Sequence, residues 1–361
     1  MGATHIGDNA FGGCSRLREV ALPDSLTYVG SCAFLECFRL KAVALPNSLL
    51  HIGERAFAVC TGLTSVTLPN SITRISEDTF AGCTGLRVLT LPDAITTIEA
   101  GAFLGCSRLK EVTLPNSLTH IGDRAFQGWT GLTDLTLPSS LTNVGNSAFQ
   151  GCNRLTAVTL PNSVMHVGHG AFQGCTALSA AVLPNSLTYM GDGAFFQCSK
   201  LVDVTLPNSL TRIGNGSFAR CYGLARVALP SSLDQIGSHA FQQCTSLLQV
   251  TLPDSLTHIG DNAFERCTQL TDVSLPSSLA HIGDRAFSGC VGLTTVTLPS
   301  SLVHVGLHAF SFCTQLREVI APDSLVGWFG HNAFSGCSSL PEAASSELAL
   351  LFHSRRDSWH I

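Results

Sequence analysis

The stretch LPNSLTHIGDRAFQGWTGL, residues 114–132, decides the fold, because almost the same words stand 23 residues to either side. LPDAITTIEAGAFLGCSRL precedes it and LPSSLTNVGNSAFQGCNRL follows it. Trp129 occupies the place that Cys106 and Cys152 hold in the neighbouring rows. A fixed period of this length marks a repeat architecture. It overrules the two or three globular domains that 361 residues would otherwise suggest.

Set in rows of 23, the chain resolves into columns from residue 4 to about residue 340. Phe fills one column in all fifteen rows, from Phe11 to Phe310 and then Phe334 after one inserted residue. Cys stands three places on, from Cys14 to Cys337, with Trp129 the exception. Leu comes three places later, from Leu17 to Leu340, followed by an aliphatic such as Val66 and a Leu such as Leu68. Pro then follows in fourteen rows. After LPxS come two more aliphatics, such as Ile72 and Ile75, and then Gly in thirteen of fifteen rows, Ser76 and Glu99 standing apart.

Each column has a physical reason. V-x-L alternates with period two and predicts a short strand with its apolar side inward. Pro lacks an N–H and ends that strand. Ser after LPx can bond nearby backbone in a turn, and Gly suits a tight bend or a positive φ. Phe and Cys three apart fit one face of a single helical or 3₁₀ turn. One row therefore predicts strand, turn, extended segment, bend and short helical turn. It holds one strand and returns to its own start, which makes it one coil of a solenoid that buries its apolar side only by stacking. The Cys sits inside, between Phe and Leu, as a small buried hydrophobe. Trp129 fits there if the coil swells locally or the indole tips out at the edge.

The row C-x-x-L-x-x-V-x-L-P-x-S-L-x-x-I-G-x-x-A-F-x-x, clear in residues 60–82 and 267–289, resembles the 23-residue leucine-rich repeats of the BspA-like family. The resemblance covers more than nine-tenths of the chain. It implies an α/β-type repeat solenoid: a leucine-rich repeat arc with a parallel β-sheet on the concave face and short helical turns or loops on the convex face. It also implies adhesion and protein recognition, often at cell surfaces. Residues 1–340 read as one solenoid of about fifteen coils, and 341–361 as a helical cap and tail. Within the latter, SSELALLFHSRR (345–356) has an N-capping Ser and an apolar face of Leu348, Leu351 and Phe352.

Function should lie on the outward strand residues. The column inside V-x-L is mostly Thr, which strand propensity alone explains. The column before it varies, and a solenoid's specificity is written where packing does not constrain sequence. Lys110, Glu111, Asp134, Asp203, Arg226, Asp272, Arg317 and Glu318 are the candidate contacts for a protein or glycan partner. His258, His281 and His304 stand in consecutive rows, ~5 Å apart by strand spacing. Two imidazoles could pinch a metal, but other rows place Tyr or Arg there, so no metal site and no cofactor is assigned.

No G-x-S-x-G, H-E-x-x-H or P-loop occurs, so no catalytic residues are assigned and the chain reads as non-enzymatic. The formal charge of −5 argues against a nucleic-acid partner. No segment has the ~18 uninterrupted apolar residues of a membrane span, and the N-terminus lacks the pattern of a signal peptide. Localisation stays open: the family resemblance points to a cell surface, and a reduced Cys ladder is compatible with the cytoplasm. There is no C-x-x-C among the fifteen Cys, and parallel neighbouring Cβ vectors suit disulfides poorly. Buried, reduced thiols are expected, with Cys32 exposed. The chain starts in mid-repeat, as a fragment of a longer array would. The uncovered Ile6, Phe11 and Leu17 then predict self-association through the N-terminal coil as the alternative role.

Overall fold

The computed structural model describes residues 2–322 and 328–341. These fall into two compact units, Met1–Ala194 and Phe195–Ile361. In each, the chain winds as a parallel-strand β-solenoid, with about 14 turns in all. The proposed cap at 345–356 lies outside the described residues.

The V-x-L columns form the expected parallel strands. In the first unit Ser65–Thr67 pairs with Val88–Thr90, with Val66 opposite Leu89. In the second, Asp203–Thr205 pairs with Arg226–Ala228, and Gln249–Thr251 with Asp272–Ser274. The middle residue points inward and its neighbours outward, so Val66, Val158 and Val204 are buried between exposed flanks. Leu of LPxS and the Ile column pack on the same interior.

Two expectations fail. The extended segment before the Gly is a second strand ladder, two residues wide: His5–Ile6 pairs with Tyr28–Val29, and His258–Ile259 with His281–Ile282. And the α/β assignment is wrong. Among the described residues there are 27 strands of two or three residues and no helix. The segment carrying Phe and Cys is a run of tight turns whose N–H groups alternate in direction. Ala10, Gly12 and Cys14 donate back within their coil to Gly7, Asn9 and Phe11. Between them Asn9, Phe11 and Gly13 donate across to Ser31, Ala33 and Leu35 of the next coil. A helix needs every residue right-handed and every N–H turned along its own axis. Here positive φ at two places in each coil, 55° at Asn9 and 72° at Gly13, resets the direction each time. Half the amides thus pin neighbouring coils, which a helix could not do.

The Phe column is a continuous ring stack within each unit. Phe11 and Phe34 lie 5.1 Å apart with planes 6° from parallel, and Phe287 and Phe310 repeat this at 5.1 Å and 3°. Each such pair adds ~0.5–1.5 kcal/mol beyond the area it buries.

Polar columns form ladders between coils. Ser48, Ser140 and Ser232 donate to the carbonyls of Leu26, Leu118 and Leu210, at 2.6, 2.6 and 2.8 Å. The Ser of LPxS therefore serves the coil before it rather than its own turn. After the Gly column, Asp123 accepts the N–H of Asn146, and Asn146 accepts that of His169, both at 2.7 Å.

The Gly column answers to close approach and not to φ. A Cβ on Gly168 would stand 2.5 Å from the Asn146 nitrogen and 2.6 Å from the Gly145 carbonyl carbon, whereas one on Gly7 would meet nothing within 4 Å. Gly168→Ala is expected to cost ~1–3 kcal/mol by overpacking. Gly7→Ala should be near neutral. Urea midpoints of the two variants check this; equal midpoints would remove the close-approach account.

Candidate functional site

All eight candidate contact residues are exposed. They do not form one cluster. Asp203, Arg226 and Asp272 open three of the three-residue strands of the second unit. Register places them in one column: Asp203 opposite Arg226, Arg226 opposite Gln249, Gln249 opposite Asp272. Glu318 opens a further strand there, opposite Thr295, with Arg317 just before it. The column runs acidic, basic, neutral and acidic from Asp203 to Asp272, with adjacent coils ~4.8 Å apart.

Lys110, Glu111 and Asp134 belong to the first unit and stand in irregular coils. No strand is assigned at 111–113 or 134–136, although strands run at Ser65–Thr67, Val88–Thr90, Ala157–Thr159 and Ala180–Val182. Val112 and Leu135 are only half-buried, where Val66 and Val158 are 1% exposed. Asp134 accepts a hydrogen bond from the Thr133 hydroxyl at 2.8 Å.

Trp129 accounts for the irregularity. It is fully buried, so the indole does not tip outward. It meets Phe126 and Phe103 edge-on at 4.8 and 6.1 Å. Phe103 and Phe126 are 5.8 Å apart, where other ring pairs within the units run from 5.1 Å at Phe34–Phe57 to 5.6 Å at Phe195–Phe218. The rings are spread slightly around the indole, and the strand residues at 111–113 and 134–136 are unpaired.

The Trp also explains what the Cys column does. The ladder Cys of the inner coils aim their S–H at the carbonyl of the Phe one coil earlier: Cys60 to Phe34 at 3.1 Å, Cys83 to Phe57 at 3.1 Å, Cys244 to Phe218 at 3.1 Å. Trp129 Nε1 donates to the matching carbonyl, that of Phe103, at 2.7 Å. The position needs a donor on an apolar body, and the reading of it as apolar volume alone was incomplete. Thiol and indole both qualify; Leu or Phe would not.

Cys14 is exposed, Cys32 is half-exposed, and the other thirteen are buried. Burial pushes the thiols of Cys106, Cys152, Cys221 and Cys290 up to about 12. Thiols held so firmly neutral are poor nucleophiles and poor metal ligands.

The His column lies on the second ladder, not on the face of the candidate contacts. His258 and His281 stack at 4.4 Å, 12° from parallel, and His281 and His304 sit at 6.1 Å. With Arg212, Gln235 and Asp261 they line a hollow of about 320 Å³. Stacked rings send their nitrogens out side by side rather than toward one point. Among the described residues no group of three His, Cys, Asp or Glu is disposed to hold a metal. Burial, followed by the neighbouring His258 and His304, lowers the pKa of His281.

Strands one coil apart, inward aliphatics, a ladder of Leu and a 23-residue period together define a leucine-rich repeat solenoid. The chain belongs to the family of the BspA-type leucine-rich repeat region, whose model matches residues 4–132, 96–225 and 211–341. This family is one of binding scaffolds, typical of protein binding and adhesion and generally without catalysis. A leucine-rich repeat protein from Bacteroides ovatus ATCC 8483 is 31% identical, with a TM-score of 0.79 over 89% of this chain and 85% of that one. A leucine-rich cell surface protein from Faecalibacterium prausnitzii A2-165 is 25% identical over 94% of this chain and 82% of that one, with a TM-score of 0.48. No curated protein matches the chain in sequence. No helix among the described residues is long and apolar enough to cross a membrane.

Proposed function

We propose that this chain is a non-enzymatic binding module that engages a protein or glycan through the face of its three-residue strands. On this reading Asp203, Arg226, Asp272, Arg317 and Glu318 make contacts from the second unit, and Lys110, Glu111 and Asp134 from the first. One observation carries it. Columns that pack or bridge coils repeat almost unchanged, while the exposed residues that open these strands run Asp203, Arg226, Gln249, Asp272 in fixed register. A rigid sheet presenting charges of both signs at fixed spacing can discriminate partners by charge pattern. The family's adhesion roles favour a partner outside the cell.

The test is a panel of immobilised extracellular-matrix proteins and a glycan array, probed with the wild-type chain and with the triple variant Asp203→Lys, Arg226→Glu, Asp272→Lys. The variant should lose the wild type's hits by about tenfold or more, since like-charge juxtapositions cost several kcal/mol. Arg124→Gly, on the turn side, should keep them. Hits that survive the triple variant would refute this face as the binding surface.

A further inference from the structure

The turns of the second unit hold a notch that packing does not require. It measures about 440 Å³ and is lined by Glu265, Arg266, Arg285, Ser288, Gly289, His308, Ser311 and Phe312. Three consecutive coils build it. In one column they place Arg266, Gly289 and Phe312, so the glycine leaves a gap between a guanidinium stem and a phenyl ring. A Cβ on Gly289 would stand 3.3 Å from Arg266 Cγ, and the Phe312 ring leans the other way, over Gly336. Arg285 and His308 come from the second left-handed column of the same coils. Ser288 and Ser311 are buried and hydrogen-bonded to each other at 2.9 Å.

Two features call for explanation. Arg266 and Arg285 are exposed, and among the described residues neither makes an ion pair. The carboxylate lining the notch, Glu265, is engaged by the Gln242 amide. Phe312 is 59% exposed and sits at φ 59°. Gly105, Gly128, Gly151 and Gly174 fill the equivalent place in some coils, and Val59, Gln197, Arg220 and Gln243 in others, but no other coil puts an aromatic ring there. A bulky residue there is strained, and its ring gains little burial in return.

We infer that the notch is a binding site for an oxyanion carried on a planar ring, an aryl phosphate or sulfate ester. Two guanidiniums supply fork-shaped donors for the oxyanion. The Phe312 ring offers a flat apolar wall on which the ligand's ring can lie offset. The site is independent of the strand face, and either can fail without the other.

The test uses the full chain at low salt, with p-nitrophenyl phosphate, p-nitrophenyl sulfate and inorganic phosphate as probes in titration calorimetry. Both aryl esters should bind more tightly than inorganic phosphate, and the order of the two esters separates phosphate from sulfate as the natural group. Arg266→Gly and Arg285→Gly insert the residue that other coils carry at these backbone positions, so the fold is kept. Each should weaken binding about tenfold or more, as the loss of a charged hydrogen bond does. Phe312→Gly should abolish the advantage of the aryl esters over inorganic phosphate while raising the thermal midpoint, because the left-handed strain is relieved. No binding at millimolar probe, or binding unchanged in the double Arg variant, would overturn the site. A Phe312→Gly variant that keeps the aryl preference would overturn the ring's role.

Discussion

Above about pH 9 the protein is expected to lose stability steeply, roughly 5 kcal/mol for each pH unit, from four thiols alone. Cys106, Cys152, Cys221 and Cys290 have their ionisation raised from 9.0 to about 12, burial being the largest cause in each. In the unfolded chain they give up their protons near 9; in the folded chain they keep them. Between these values the unfolded state binds fewer protons, so stability falls as pH rises, and it is fully present below 9. A domain typically has only ~5–15 kcal/mol in hand, so unfolding near pH 10–11 follows. Urea titrations by circular dichroism at pH 8, 9 and 10 measure the slope. Replacing the four Cys by Ser keeps a donor for each Phe carbonyl but removes the ionisation, and should flatten it. A midpoint that does not move from pH 8 to 10 would contradict a neutral buried ladder. Native labelling by a thiol reagent at pH 8 gives a second readout: Cys14 and Cys32 should react quickly and the ladder only on unfolding.

The columns that pack were legible in sequence because packing constrains residue type. Phe every 23 residues, Leu after Cys, and V-x-L before Pro each map onto one buried feature. The left-handed turns were not legible, since the residues at those positions are mixed. Gly, Asn and Asp occur there, but so do Arg55, Val59, His239 and Phe312. Once coils stack, bonds across the stack hold the backbone in place whatever the side chain is. A recurring Gly just before the Cys, as at Gly82, Gly105 and Gly151, was the signal that could have argued against a helix. The second ladder escaped because a two-residue strand has no period to detect. The donor role of the Cys column spans 26 residues and exists only between coils. As for the site, exposure of the charged strand residues was readable from alternation. That Glu111 and Asp134 fall where pairing is lost was not, because the cause is a single side chain, Trp129, which follows Glu111 by nearly a whole coil and precedes Asp134.

That cause sets the last expectation. Trp129→Ala should cost ~3–5 kcal/mol, the usual price of emptying a large buried site. Trp129→Phe keeps most of the volume but has no donor. The Phe103 carbonyl still receives the Cys106 N–H at 3.3 Å, so the loss should be nearer ~1 kcal/mol. Trp129→Cys should be the mildest of the three. It restores the donor used in every neighbouring coil, and those coils show that the backbone closes around a thiol. Closing should bring Phe103 and Phe126 toward the spacing of the other rings and let Glu111–Thr113 and Asp134–Thr136 pair with the strands beside them. Urea midpoints give the order Ala, Phe, Cys from worst to best. Amide hydrogen exchange then distinguishes a wedge from a mere filler: Val112 and Leu135 should become protected in Trp129→Cys and stay open in Trp129→Phe. If the Cys variant is as unstable as the Ala variant, with both amides still exchanging freely, then something other than the indole holds these coils apart.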